Sequence, residues 1–267
     1  MKARLFFLSA AFAALCGGCT NLLGGKAVIP QPREFIVLAR PVSLPFEGSG
    51  RPYPYRIQID KFQVPPRYER NQIVFRVSEY ELKKDRLHTW SARPAEMLTD
   101  AIEEYLSEAR LFALTSRDFL TTPDFTFTGS VQAIERFDSG DEWRAHLAMS
   151  MKLVAEATNQ VLWEADFDEE LVVYNRDMGY TVEALNEILR ARMQVYLADI
   201  DFKLLNYYRN QQGLETLNAR PGAAAADSSA AAAAVAAEKV GEVQPEGATY
   251  IIFPGKRMPA APVTGQP

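Results

Sequence analysis

Apolar and polar residues alternate in several short stretches of this chain. Tyr55, Ile57 and Ile59 alternate with Arg56, Gln58 and Asp60, the period of a half-buried strand. The stretches 35–38 (FIVL) and 73–77 (IVFRV) read as further strands, the second continuing toward Tyr80 and Leu82. At Pro94 the period changes. Leu98, Ile102, Tyr105 and Ala109 recur three or four apart, which predicts a helix with proline in its first turn. The stretch 111–114 (LFAL) leads into a short strand, and three longer strands are predicted over 125–137, 143–156 and 161–174. In the middle one Leu147, Met149, Met151, Leu153 and Ala155 alternate with His146, Ala148, Ser150, Lys152 and Val154. Asp138-Ser139-Gly140-Asp141 and Ala157-Thr158-Asn159-Gln160 supply turn residues at hairpin spacing. Val182, Leu185, Leu189, Met193, Tyr196, Ile200 and Leu204 then mark a long amphipathic helix, with Thr181 as its expected N-cap and Glu183 and Glu187 near its positive end. This order predicts an α/β (α+β) single domain, a mixed sheet with an antiparallel meander packed by two main helices.

The chain ends follow other patterns. Lys2 and Arg4 precede an uncharged apolar run, 5–15 (LFFLSAAFAAL), within the roughly 7–15 residues of a signal-peptide core and short of the roughly 20 needed to span a bilayer. The run ends at Cys16-Gly17-Gly18-Cys19, small residues before a cysteine that resemble a bacterial lipobox with Cys19 as the acylated residue. The position three before Cys19, usually leucine, holds Cys16, with Leu15 one place further back. Thr20 and Asn21 follow, with no Asp directly after the cysteine to signal inner-membrane retention, so the outer membrane is the expected address. Residues 1–18 are thus read as a signal peptide and 19–33 as a lipid-anchored tether. The body is 34–212, and 213–267 is an Ala/Pro-rich low-complexity tail containing a possible docking segment at 249–254 (TYIIFP).

Composition adds mainly exclusions. A chain of 267 residues, 48% hydrophobic and 24% charged, can bury a core, and a net charge of -5 without a dense basic stretch argues against nucleic acid. Cleavage before Cys19 leaves one cysteine, which excludes an internal disulfide or a cysteine metal site. His88 and His146 are far apart and fit no HExxH pattern. No G-x-S-x-G elbow, P-loop or Rossmann glycine pattern occurs. No catalytic residue, metal ligand or cofactor is therefore expected. The acidic stretch 164–170 (EADFDEE) reads as a solvated strand face, with Trp163, Ala165 and Phe167 inward and Glu164, Asp166 and Asp168 outward. Trp90, Trp143 and Trp163 read as core packing or interface contacts. Trp90 and Tyr80, at the two ends of a polar loop beside a sheet edge, are the expected partner interface.

Several segments in this order resemble the ABC-type transport auxiliary lipoprotein family. They are Cys19; Tyr55-Arg56-Ile57-Gln58-Ile59 followed by Phe62; Ile73-Val74-Phe75-Arg76; Trp90, Pro94 and Met97-Leu98; Leu106 through Leu111-Phe112; and Gly129-Ser130-Val131 leading to Ala145-His146-Leu147. The family usually has tyrosine where this chain has Phe75. The resemblance implies a periplasmic, outer-membrane-anchored accessory that docks the MCE-domain protein of a lipid-transporting ABC system and is itself no enzyme. It leaves a homo-oligomer open. A lipid-binding shuttle and a structural envelope lipoprotein are the alternatives.

Overall fold

The computed structural model describes residues 30–42, 51–118 and 122–218. Cys19, the expected signal peptide, most of the expected tether, and the expected tail beyond residue 218 with its docking segment at 249–254 lie outside these residues. In chain order the elements are β1 (Arg33–Phe35), β2 (Tyr53–Ile59), β3 (Gln72–Ser78), β4 (Glu81–Trp90), α1 (Pro94–Glu108), β5 (Phe112–Ser116), β6 (Phe125–Asp138), β7 (Trp143–Ala155), β8 (Gln160–Val173) and α2 (Met178–Gln211). The strands form one mixed eight-stranded sheet curled into a half-barrel, as the α/β reading expects.

The long strand β6 organises the sheet. One edge pairs antiparallel with β7, which pairs antiparallel with β8, giving the predicted meander. Its other edge is shared end to end. β2 lies parallel along its start, with Ile57 opposite Phe125, and β3 lies parallel along its end, with Arg76 opposite Phe137. β5 extends the sheet beyond β2, while β4 and then β1 extend it beyond β3.

The alternation in β7 maps onto two faces. Leu147, Met149, Met151, Leu153 and Ala155 are all buried, whereas His146 and Ser150 are half-buried and Lys152 is exposed. β8 behaves as read: Trp163 and Phe167 are buried and Glu164, Asp166 and Asp168 are exposed. The helices close the apolar face. Leu98, Ile102 and Tyr105 of α1, and Leu189, Met193, Leu197 and Leu204 of α2, are completely buried. Between sheet and helix, Phe62 stacks on Phe127, Phe127 on Trp163, and Trp163 meets Tyr196 edge-on. Gly129 is required at the first of these contacts, since a Cβ there would stand 2.4 Å from the Phe62 ring.

Three expectations need correction. The polar loop from Tyr80 to Trp90 is instead strand β4; its pairing slips between Lys84 and Thr89, where the Asp85 carboxylate accepts from the Leu87 and His88 amides. The strand expected at 35–38 leaves the sheet after Phe35. The next amides donate to side chains: Val37 to Met97 Sδ, Leu38 to Asn186 Oδ1 and Arg40 to Tyr105 Oη. α2 begins before Thr181, at Met178, because Asp177 caps it by accepting from the Gly179 amide. Thr181 is buried inside the first turns.

Candidate functional site

Of the two expected interface residues, the structure exposes one. Tyr80, at the β3–β4 turn, is 90% exposed. Trp90 is 2% exposed, because β1 pairs beside it, with Phe35 opposite, and the core takes its ring. Trp90 therefore supports the fold, while Tyr80 stays accessible to solvent. Trp163 is also buried and Trp143 half-buried. His88 bonds Asp85 through Nδ1 at 2.7 Å, a local contact inside β4. No group of three or more potential metal ligands occurs among the described residues.

One buried cluster escaped the sequence reading. Glu135 of β6 has a side chain with no exposed surface. It accepts from Tyr68 Oη at 2.6 Å and from Arg76 Nε at 2.6 Å, and lies 3.2 Å from His146 Nδ1. His146 Nε2 reaches Asp168 at 2.7 Å. Burial alone would raise the Glu135 pKa, but hydrogen bonds from His146, Arg76 and Tyr68 outweigh it and hold the carboxyl below its ordinary value. Burial likewise pulls His146 down, yet Glu135 and Asp168 outweigh it and raise the imidazole pKa. A neutral imidazole could donate to only one of these carboxylates, so the geometry favours the imidazolium. Each Glu135 oxygen already has a donor, so the cluster acts as a strut tying the 60–71 segment, β3, β6, β7 and β8 together. The sequence signal is an adjacent acid and base, Glu135-Arg136, directly after the apolar Ala133-Ile134.

Two of the open clefts on the described residues lie along β6. One, about 360 Å³, runs over the polar face of the meander past Ser130, Ser150, Lys152 and Glu164. The other, about 300 Å³, lies where β6 begins, with Tyr55, Phe125 and Tyr207 below Asp124 and Glu156. Tyr55, Phe125 and Tyr207 meet edge-to-face, with centroids 5.2 to 5.7 Å apart, so they fill the space between them.

Residues 37–194 match the sequence model of the ABC-type transport auxiliary lipoprotein component family, more than half of the chain. The chain belongs to this family. It is a family of accessory transport lipoproteins rather than of enzymes. No helix among the described residues is long and apolar enough to cross a membrane. A Xanthomonas campestris protein of the DUF330 family shares the fold at 14% identity and a TM-score of 0.56, over 67% of this chain and 99% of that one. An uncharacterized protein does so at 13% identity and a TM-score of 0.51, over 64% and 99%. The dodecameric PelC of Paraburkholderia phytofirmans, at 10% identity and a TM-score of 0.31 over 53% and 87%, is too distant to bear on the assembly of this chain. No curated protein matches in sequence.

Proposed function

We propose that this auxiliary lipoprotein is anchored through Cys19 in the outer membrane and docks the MCE-domain protein of an ABC system that moves lipids between the two membranes. The family match carries the transport role. The filled interior supports docking over lipid carriage: the rings of Phe62, Phe127, Trp163 and Tyr196 occupy the space between sheet and helices that an acyl chain would need. In this reading the protein works by binding, and the buried Glu135 carboxylate, hydrogen-bonded by Tyr68 and Arg76, serves the fold. Its β5 strand pairs only with β2 among the described residues, leaving an edge for a partner strand or a second copy.

The test is affinity purification of the full-length protein from detergent-solubilised envelope, with partners, lipids and the Cys19 modification identified by mass spectrometry. Recovery of acylated protein with an MCE-domain protein is expected. Acylated protein without such a partner would reject the docking role, and bound lipid at one copy per chain would favour the shuttle instead.

A further inference from the structure

We infer that the free edge of β5 takes an extended segment of the docked partner, bearing lysine or arginine, as an added strand. The inference rests on the docking role proposed above and names the strand that receives the partner and the chemistry of the segment received. Among the described residues the sheet ends in three strands, β1, β5 and β8, each paired on one side only. An unpaired edge offers a row of amides and carbonyls to a strand of another chain, and proteins blunt such edges by shortness or by charge. β1 is three residues long and carries Arg33 and Glu34. β8 carries Glu164, Asp166, Asp168, Glu169 and Glu170, and the Tyr196 hydroxyl donates to its Asp166 carbonyl. β5 has no such protection: none of its five residues is charged, and Ala113 and Leu114 are exposed.

The surroundings of β5 select the partner. α1 precedes β5 in the chain and packs against it. Just past β5, Arg117 turns back onto α1 and forms ion pairs with Glu96 at 2.9 Å, with Glu103 at 2.7 Å and with Asp100. Lys61 shares Glu96 at 3.1 Å. These pairs set the outward carboxylates of α1 beside the end of β5 and leave two cations against three acids. Glu104 and Glu108 on α1 are exposed and form no ion pair among the described residues, which adds to the acidic excess. A second copy would bring the same acids to the same edge, and like charges facing across a strand pair are unfavourable. A lysine or arginine on the incoming strand meets these acids instead, while the main chain supplies the ladder. At ~3.4 Å per residue the edge is about 17 Å long, room for a short strand whose alternate side chains lie on the α1 side.

The experiment places a photoreactive residue at Leu114 of the full-length protein in intact cells, with Leu214, exposed beyond α2, as the control site. Linked peptides are identified by mass spectrometry. Expected is a link from the Leu114 site, absent from the Leu214 site, to a lysine- or arginine-bearing segment of the MCE-domain protein. Glu104→Lys combined with Glu108→Lys should lower its yield severalfold; lysine near a helix C-terminus is favourable, so the variant keeps its fold. A link to a second copy overturns the inference and assigns β5 to self-assembly. A link within the same chain overturns it by showing the edge already covered. A partner link undiminished by the charge reversal overturns the selection of a basic segment. Copurification of the MCE-domain protein with no link at the Leu114 site overturns the inference and leaves the docking role standing. Absence of that protein from the purification overturns the docking role and the inference with it.

Discussion

Replacing Glu135 with Gln keeps the shape of the side chain and removes its charge, which tests the cluster it holds. Arg76 Nε donates to Glu135 at 2.6 Å, and the carboxylate is wholly buried. Removing one partner of a buried ion pair costs about 3–5 kcal/mol, since the remaining charge is left uncompensated. The Arg76 side chain is 26% exposed and recovers some hydration, which places the expected cost near the lower limit. A loss of about 3 kcal/mol lowers the Tm by roughly 6–12 °C at ~2–4 °C per kcal/mol for a domain of this size. The assay is thermal or urea unfolding of Glu135→Gln, Arg76→Met and the double variant at neutral pH. Because the two side chains share one interaction, the double variant should lose clearly less than the summed single losses. A Glu135→Gln cost below about 1 kcal/mol, or additive losses in the cycle, would refute the assignment of Glu135 as a strut.

The same cluster sets a pH window. The depressed Glu135 pKa contributes stability that is lost as pH falls through its folded value, and the raised His146 pKa contributes stability that is lost as pH rises through its folded value. Urea midpoints should therefore be highest between those two pKa values, and His146→Gln should flatten the alkaline side. Gly129→Ala should cost about 1–3 kcal/mol by pushing the Phe62 ring off Phe127, read as a lowered urea midpoint. Asp177→Ala should cost about 1 kcal/mol through the lost cap on Gly179. Thr181→Val should be neutral or stabilising in the same unfolding assay, since its buried hydroxyl meets no hydrogen-bond partner among the described residues. Trp90→Ala should cost about 3–5 kcal/mol as a core cavity. Tyr80→Ala should stay within about 0.5 kcal/mol of the parent, so a loss of binding in Tyr80→Ala alone would report on a surface.

What the sequence reveals of this fold depends on whether neighbours in space are also neighbours in pattern. The meander is legible because one face of β7 meets the helices and the other meets polar surroundings, so its side chains alternate cleanly. α1 is legible because Pro94 marks its first turn and Leu98, Ile102 and Tyr105 share one face. β4 is not, since ELKKDRLHTW has no clean alternation and its register slips around Asp85. Trp90 looks like an edge aromatic until the three-residue strand β1, far upstream in the sequence, covers it. Glu135 is hidden by a bulge. Val131 lies opposite Met149 and Ala133 opposite Ala148, so the extra residue reverses which parity of β6 faces the core. Inward positions pass from Phe125 and Phe127 to Ile134, and Glu135 turns to the other face, where Tyr68 covers it.

The segment after β1 is fastened to the body by more than a strand ladder. A lone edge strand of three residues would peel readily, because each ladder bond at an edge can break in turn. Here the ladder is replaced after Phe35 by bonds from the Val37, Leu38 and Arg40 amides to side chains of two different helices: Met97 and Tyr105 on α1, and Asn186 on α2. Val37 is buried against the core between these contacts, and Arg33 holds Asp177 at the start of α2. The segment around β1 is therefore held jointly by β4, α1 and α2. Asn186 is a buried polar residue on the inward face of α2. Its role becomes clear in three dimensions, where its carbonyl accepts the Leu38 amide while its amino group donates to the Val182 carbonyl. The polar side chain on the buried face of the helix is the one that fastens the segment after β1 to the body.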